Sequence, residues 1–343
     1  MVRRLRFIVV AGVVTVFAVV TMASQGHAHT ALNGNCSDLG SFTHILTRTM
    51  TEGPWTILTN DEVNPLVPVV VDAMMFNGSV PGPAIEVTEG DTVCVKFINN
   101  LAEDTTVHFH GINAPYLAND TDGVSHIGAG PDMMIGDSLA VHWTAPPAGT
   151  YMYHAHHNAV KQMGLGLYGA IIVRPKGSRD KKLAYDEVWM LSEWRVNKAP
   201  DNTILNNVPT GHGVDEIPNY FTINGKAFNP HNLADSGNKL VVLKQGQKAR
   251  IRMIGIGAFS HPMHMHGRNF RVVARDSNPI PTGLQSLINT ITVHPGEIVD
   301  IEFEAGMEPE HVGNWAFHCH VVEHSTNNEA YPGGLVSAVV IQP

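Results

Sequence analysis

Four short segments hold ten of the twenty histidines: His108-Phe-His110, His154-Ala-His156, His261-Pro-Met-His-Met-His266 and His318-Cys-His-Val-Val-Glu-His324. Imidazole is the commonest metal ligand among side chains. On a strand, residues i and i+2 share a face, so each His-x-His pair aims two rings into one space. Four such pairs supply eight ligands, whereas one structural zinc ion takes four. That many imidazoles imply several metal ions close together. Cys319 lies between His318 and His320 and must point to the opposite face of their strand. With His261 and His324 it makes a thiolate with two imidazoles, the donor set of a type 1 (blue) copper electron-transfer site. One strand then serves a type 1 copper on one face and a metal cluster on the other, and the peptide bonds around Cys319 offer a covalent route for electrons. The other histidines, including His126, His142, His157, His212, His231, His294 and His311, read as ordinary surface or core residues.

The elements that must position these residues are written twice. Glu89-Gly-Asp-Thr-Val-Cys-Val-Lys-Phe97 is echoed by Gln245-Gly-Gln-Lys-Ala-Arg-Ile-Arg-Met253. In each, a glycine precedes alternating apolar and polar residues, the pattern of a half-buried strand after a turn. The same offset carries His108-Phe-His-Gly111 onto His264-Met-His-Gly267. Further on, Gly149–His156 matches Gly313–His320, and Leu167–Pro175 matches Leu335–Pro343. Short β-branched and aromatic runs broken by Gly, Pro, Asn and Asp, without long 3.6-period segments, predict an all-β chain of two tandem Greek-key sandwiches or barrels. Residues 29–176 form the first and 183–343 the second, joined by the charged linker Lys176–Lys182. The repeat also shows where a type 1 site is missing. Cys319 aligns with Ala155, His324 with Val160 and His261 with Thr105, so the expectation is one type 1 copper in the second domain and none in the first.

Composition sets the context. Hydrophobic residues make up 43% of the 343, enough for two buried cores, and a net charge of −9 provides no basic face for nucleic acid. Arg3, Arg4 and Arg6, then the uncharged run Phe7–Ala23 and small residues, read as an export signal over residues 1–28. An uncleaved anchor is the alternative. The expected location is periplasmic or secreted. There Cys36 and Cys94 could form a disulfide or remain two buried thiols, with Cys319 free in either case.

With Asn77-Gly-Ser-Val-Pro-Gly-Pro83, these residues resemble the multicopper oxidases, specifically the two-domain laccases, over nearly the whole chain after the leader. The resemblance implies two tandem cupredoxin-like Greek-key β-sandwich/barrel domains and four copper ions per functional unit. His108 and His264 would bind the type 2 copper; His110, His154, His156, His266, His318 and His320 the type 3 pair; His261, Cys319 and His324 type 1. It places Glu329 ten residues after Cys319 at the axial position, but alignment from the last strand puts Leu335 there. Leu335, non-ligating, is the reading adopted, because a buried anion beside a thiolate is costly. Asp122, in Asn119–Val124, would supply protons near the cluster. Two-domain laccases are similar in plan and assemble as homotrimers with clusters between subunits, so a trimer is expected here. The implied reaction oxidises phenolic, aromatic or metal-ion donors and reduces O2 to water. A copper nitrite reductase and a non-catalytic copper-binding or copper-tolerance protein are the alternatives. The first would place its type 1 cysteine in the first domain, where Ala155 stands.

Overall fold

In the first half, runs rich in Val, Ile, Phe and Tyr form strands because their branched and aromatic side chains suit a pleated, half-buried surface. The computed structural model describes residues 33–60, 67–112, 132–177, 183–199, 203–208, 217–235 and 237–343. The export signal, most of the 176–182 linker and Asp122 lie outside these residues. The first-half elements are β1 (His44–Leu58), β2 (Val69–Phe76), β3 (Gly82–Thr88), β4 (Thr92–Asn99), β5 (Val107–His110), β6 (Ser138–Thr144), β7 (Gly149–Ala155), α1 (Ala159–Gly164) and β8 (Tyr168–Arg174). They build two sheets, ordered β2-β1-β4-β6 and β3-β8-β7-β5.

The second half contains β9 (Leu183–Lys198), β10 (Ile204–Val208), β11 (Tyr220–Ile223), β12 (Val241–Lys244), β13 (Lys248–Gly255), β14 (His261–Met265) and β15 (Phe270–Arg275). It continues with β16 (Asn278–Pro279), β17 (Leu287–Ile288), β18 (Thr290–Val293), β19 (Ile298–Glu304), β20 (Gly313–Cys319) and β21 (Val336–Gln342). One sheet runs β10-β9-β13-β19-β15-β16, with β11 on β9 and β17 on β15; the other runs β12-β21-β20-β14-β18. The topology repeats as the sequence does. β1 pairs parallel with β4, as β9 does with β13, and β3 pairs parallel with β8, as β12 does with β21. The chain is two cupredoxin-like units, nearly all β, as expected.

Each half has its own apolar core, around Phe97, Phe109 and Tyr153 in the first and Trp189, Phe270 and Phe317 in the second. A third core joins the halves. Met152, Tyr168 and Ala170 of the first sandwich meet Met190, Trp194, Ile254 and Ile298 of the second. Strand β8 is therefore buried on both faces, which accounts for its unbroken apolar run. Beside this seam, Arg252 donates to Asp186 (2.6 and 3.0 Å), to Asp300 (3.2 Å) and to Thr150 of the first half (2.9 Å), and Thr150 donates in turn to Asp300 (2.9 Å). The first half thus docks on the β9-β13-β19 sheet of the second and, among the described residues, leaves the β14-β20 sheet uncovered.

Cys36 and Cys94 are paired, with Cα atoms 5.9 Å apart, so the structure resolves the choice that the sequence leaves open. The bond ties the segment before β1 to the middle of β4. Among the described residues no helix is long and apolar enough to cross a membrane. Cross-linking residues 58 apart restricts the unfolded chain. Replacing both cysteines with serine should lower the unfolding free energy by about 2–4 kcal/mol. Denaturant titration of the two chains checks this, and an unchanged midpoint would mean that the bond contributes nothing.

Candidate metal centre

The pleat of β20 sorts its side chains. Phe317 and Cys319 face the second-half core, and His318 and His320 face the other way. In register beside it, β14 turns His261, Met263 and Met265 inward and His264 outward, with His266 just beyond its end. The core side holds the His2Cys set. His261, Cys319 and His324 are all buried, and their donor atoms lie within 4.8 Å of one another. Cys319 Sγ is 3.9 Å from His261 Nδ1 and 3.6 Å from His324 Nδ1, and the two nitrogens are 3.1 Å apart. Two imidazole nitrogens and a sulfur converging in an apolar shell make a trigonal cradle for a soft or borderline cation. Burial, and secondarily the charge of Glu193, pushes the Cys319 thiol up to about 12, so a metal ion binding there must displace its proton.

His324 reaches the cradle from a 3-10 turn at Val322–Ser325. Its ring stacks on Phe221 (4.3 Å between centroids) and meets the edge of Phe259 (6.0 Å). Gly334 has φ +57, and a Cβ there would lie 2.3 Å from the His324 carbonyl oxygen, so only glycine lets the returning chain pass so close. The return places Leu335, fully buried, in the same core cluster as Cys319; its N–H donates to His324 O and its carbonyl accepts from Cys319 N–H. Glu329 is exposed, in a positive-φ turn.

The eight remaining histidines form two quartets. In the first half β5 and β7 bring His108 within 5.3 Å of His154 and 5.4 Å of His156, measured between ring centroids, and His110 within 5.9 Å of His154. In the second half His264 lies 5.9 Å from His318 and 5.5 Å from His320, and His266 Nε2 is 3.0 Å from His318 Nε2. Donor atoms of His108, His110 and His154 converge to within 4.8 Å, and His156 Nδ1 is buried without a hydrogen-bond partner among the described residues, as in a site built for a cation. Burial, reinforced by His108, His110 and His156, holds His154 at about 4, and burial also keeps His110 and His318 below the ordinary histidine range. Among the described residues no ring contact links one quartet to the other. The first quartet sits beside the docked seam, where His110 approaches Gly296 and feels Asp276. The second lies on the far sheet of the second sandwich.

The first half has the same framework without the cradle. Cys319 N–H donates to Leu335 O and Leu335 N–H to His324 O; correspondingly, Ala155 N–H donates to Leu167 O and Leu167 N–H to Gln162 O. The counterpart of His324 is thus Gln162. The alignment with Val160 is corrected: Val160 is exposed on α1, because Gln162 stands seven residues after Ala155 whereas His324 stands five after Cys319, so a constant offset fails there. Thr105 fills the place of His261, and its hydroxyl donates to Gln162 Oε1 at 2.8 Å, buried. A hydrogen bond closes the space that in the second half is left to three converging donor atoms.

Glu193 of β9 was not singled out from the sequence. Its side chain is fully buried, and its Oε1 accepts from His261 Nε2 at 2.6 Å. A carboxylate in the unbroken buried run Trp189–Trp194 is the signal that could have revealed it. A cavity of about 250 Å³, lined by α1 residues and by Ile256, Gly257 and Ala258, lies against Glu193. Histidines outside the four segments have ordinary partners: His157 bonds Asp132, His294 bonds Ser260, and His142 packs on Phe42. His126 and His212 lie outside the described residues.

Burial holds His324, like His154, at about 4 rather than 6.5. Folding therefore favours the neutral rings. In the metal-free chain their contribution is complete above about pH 6.5 and is lost as pH falls toward 4. Between pH 7 and 4.5 the metal-free protein should lose about 2–3 kcal/mol more stability than a His324→Gln chain. Parallel stability profiles in urea titrations would refute this.

Comparison with known proteins agrees with this geometry. Two family models, both described as multicopper oxidase, match residues 58–178 and 202–331. The chain is 30% identical to laccase-18 of Oryza sativa subsp. japonica over 235 residues, 66% of this chain and 37% of that protein. It is 29% identical to copper resistance protein A of Escherichia coli over 276 residues, 69% of this chain and 43% of that one. The chain thus spans less than half the length of these curated relatives. Among solved structures, the blue copper oxidase from Nitrosomonas europaea superposes with a TM-score of 0.68 at 28% identity, over 87% of this chain and 86% of the other.

Proposed function

Because the chain belongs to the multicopper oxidase family, we propose that it is a laccase-like oxidase, coupling one-electron oxidation of phenolic, aromatic or metal-ion donors to four-electron reduction of O2 to water. One observation carries the reading: β20 presents Cys319 to His261 and His324 on one face and His318 and His320 to a histidine quartet on the other. His261, Cys319 and His324 would hold the type 1 copper, with Leu335 buried in the same core cluster and non-ligating. His108 and His264 would hold the type 2 copper, and His110, His154, His156, His266, His318 and His320 the type 3 pair. Copper bound there supplies one-electron exchange with the donor and multi-electron exchange with O2. The chain's own residues keep the two redox ends apart and connected: the apolar core excludes water from Cys319, Phe221 and Phe259 cover His324, and the backbone of residues 318–320 spans the two faces. Asp122 remains the proposed proton source. Donors approach the His324 side. The disulfide suits an oxidising compartment, in line with an exported, periplasmic or secreted protein with domains at 29–176 and 183–343. Nitrite-reductase-like use is disfavoured, since Thr105, Ala155 and Gln162 leave no thiolate cradle in the first half.

The first quartet sits at the seam where the first sandwich docks on one sheet of the second, and the second quartet lies on the other sheet, which supports a homotrimer closed head to tail, with each cluster assembled from the first half of one subunit and the second half of its neighbour. Two tests follow. In the copper-loaded protein, Cys319→Ser should abolish the intense visible absorption of a copper–thiolate site while keeping the type 2 signal in electron paramagnetic resonance. A persisting blue band would sink the type 1 assignment. For assembly, His154→Ala and His318→Ala chains, each inactive alone, should regain part of their oxygen uptake when refolded together, because mixed rings contain some intact interfaces. Failure to complement, or a fully active monomer by light scattering, would rule out shared clusters.

A further inference from the structure

Glu193 is a charged side chain with no exposure, and it stands directly behind one limb of the His2Cys cradle. A buried carboxylate is costly unless its oxygens are satisfied, and here both are. Oε1 accepts from His261 Nε2 at 2.6 Å and Oε2 from the Ala258 N–H at 2.9 Å. The chain makes room for it: a Cβ on Gly257 would come within 2.0 Å of Oε2, so an alanine there would expel the carboxylate. The same strand pair braces the other histidine. Glu193 on β9 is in register with Phe221 on β11, whose ring stacks on His324. β9 and β11 therefore back both imidazoles of the cradle, one through a hydrogen bond and one through a ring.

A neutral imidazole carries one N–H. With Nε2–H given to Glu193, the Nδ1 lone pair of His261 is left pointing toward Cys319 Sγ and His324 Nδ1. A carboxylate partner on the far nitrogen fixes the tautomer and ring orientation and raises the basicity of the near one. Greater donor strength favours the more highly charged, oxidised metal.

We propose that Glu193 is a positioning residue for the type 1 site, which through the His261 Nε2–H holds the ligating tautomer and sets the reduction potential low. This rests on the reading of His261, Cys319 and His324 as the type 1 ligands. Removing the carboxylate raises the potential, and the donor range of the enzyme shifts with it. Glutamine at this position can satisfy only one of the two N–H donors with its carbonyl oxygen and turns an N–H2 group toward the other.

The experiment compares copper-loaded wild type, Glu193→Gln and Glu193→Ala with Ser192→Ala, a neighbour whose hydroxyl bonds Tyr168 and Thr222 and not His261. Redox titration of the blue band should show both Glu193 variants binding oxidised over reduced copper about tenfold less selectively, an upward shift of about 59 mV for a one-electron couple. Ser192→Ala should lower thermal stability and leave the potential unchanged. Folded Glu193 variants titrating at the wild-type potential would overturn the role of Glu193, and absence of a blue band from wild type would instead overturn the type 1 reading. Should both Glu193 variants fail to fold, nitrogen-15 spectra of histidine-labelled, metal-free wild type decide. Protonation of His261 at Nε2 supports the proposal, and protonation at Nδ1 refutes it.

Discussion

The alternation of one β-strand governs the rest. Because successive side chains on β20 leave opposite faces of the sheet, one cysteine can lie in a dry core while its two neighbours reach the quartet on the outside. No helix could do this, since residues one apart on a helix diverge by roughly 100° and would not meet two separate sites back to back. Everything that surrounds β20 preserves that division. β14 runs beside it in register with the same alternation, so that Met263 meets Cys319 inside and His264 meets His318 outside. β21 closes the other edge, and Leu335 just before it accepts from the Cys319 N–H and shares its core cluster. A shift of either neighbour by one residue would swap core and ligand residues together, so the apolar burial that stabilises the sandwich also holds the ligand register.

The duplicated framework separates structural from chemical requirements. Ala155 and Cys319 occupy the same place in the same hydrogen-bond pattern, as do Gln162 and His324. Three buried ligand positions with no protein-internal partner geometry would be a liability in the first half. There, Thr105 and Gln162 satisfy each other, and Gln162 further bonds Glu103 and the Asp104 carbonyl. In the second half the equivalent groups crowd instead: two ring nitrogens face each other across 3.1 Å. The sandwich is indifferent to this choice, because its stability comes from Phe97, Phe109 and Tyr153 in one half and Trp189, Phe270 and Phe317 in the other.

What could be read from the sequence follows the range over which each feature acts. Strand alternation, the His-x-His pairs and the repeat are local or of fixed offset, so the two-sandwich fold, both quartets and the His2Cys set were all legible. The Val160 alignment failed because Gln162 follows Ala155 by seven residues while His324 follows Cys319 by five, and only the backbone hydrogen bonds of Leu167 and Leu335 identify equivalent positions there. The Cys36–Cys94 bond depended on where the segment before β1 crosses β4, which two isolated cysteines do not specify. Glu193 lies 68 residues from His261 and meets it because β9 carries Glu193 to the cradle through strand pairing with β11 and β13. Its one local mark, a charge inside an apolar strand, says that it needs a partner without naming that partner.

The way the halves dock constrains how the chemistry can be completed. The seam uses the outer face of β7 and β8, the face that also carries His154, against the β9-β13-β19 sheet. That leaves the first quartet at the edge of the seam near Gly296 and Asp276, while the His264–His320 quartet faces outward from the opposite sheet. Two sheets of a sandwich stand about 10 Å apart, too far for imidazoles 5–6 Å from one another within each quartet to share ions across the core. Bringing the quartets together inside one chain would mean breaking the apolar seam and the Arg252–Asp186–Asp300–Thr150 network, and separating buried ion pairs is strongly destabilising. A neighbouring copy can meet the uncovered face without any such loss. The stability of the single chain therefore opposes closing the two quartets on each other within it, in keeping with the proposed division of the centre between subunits.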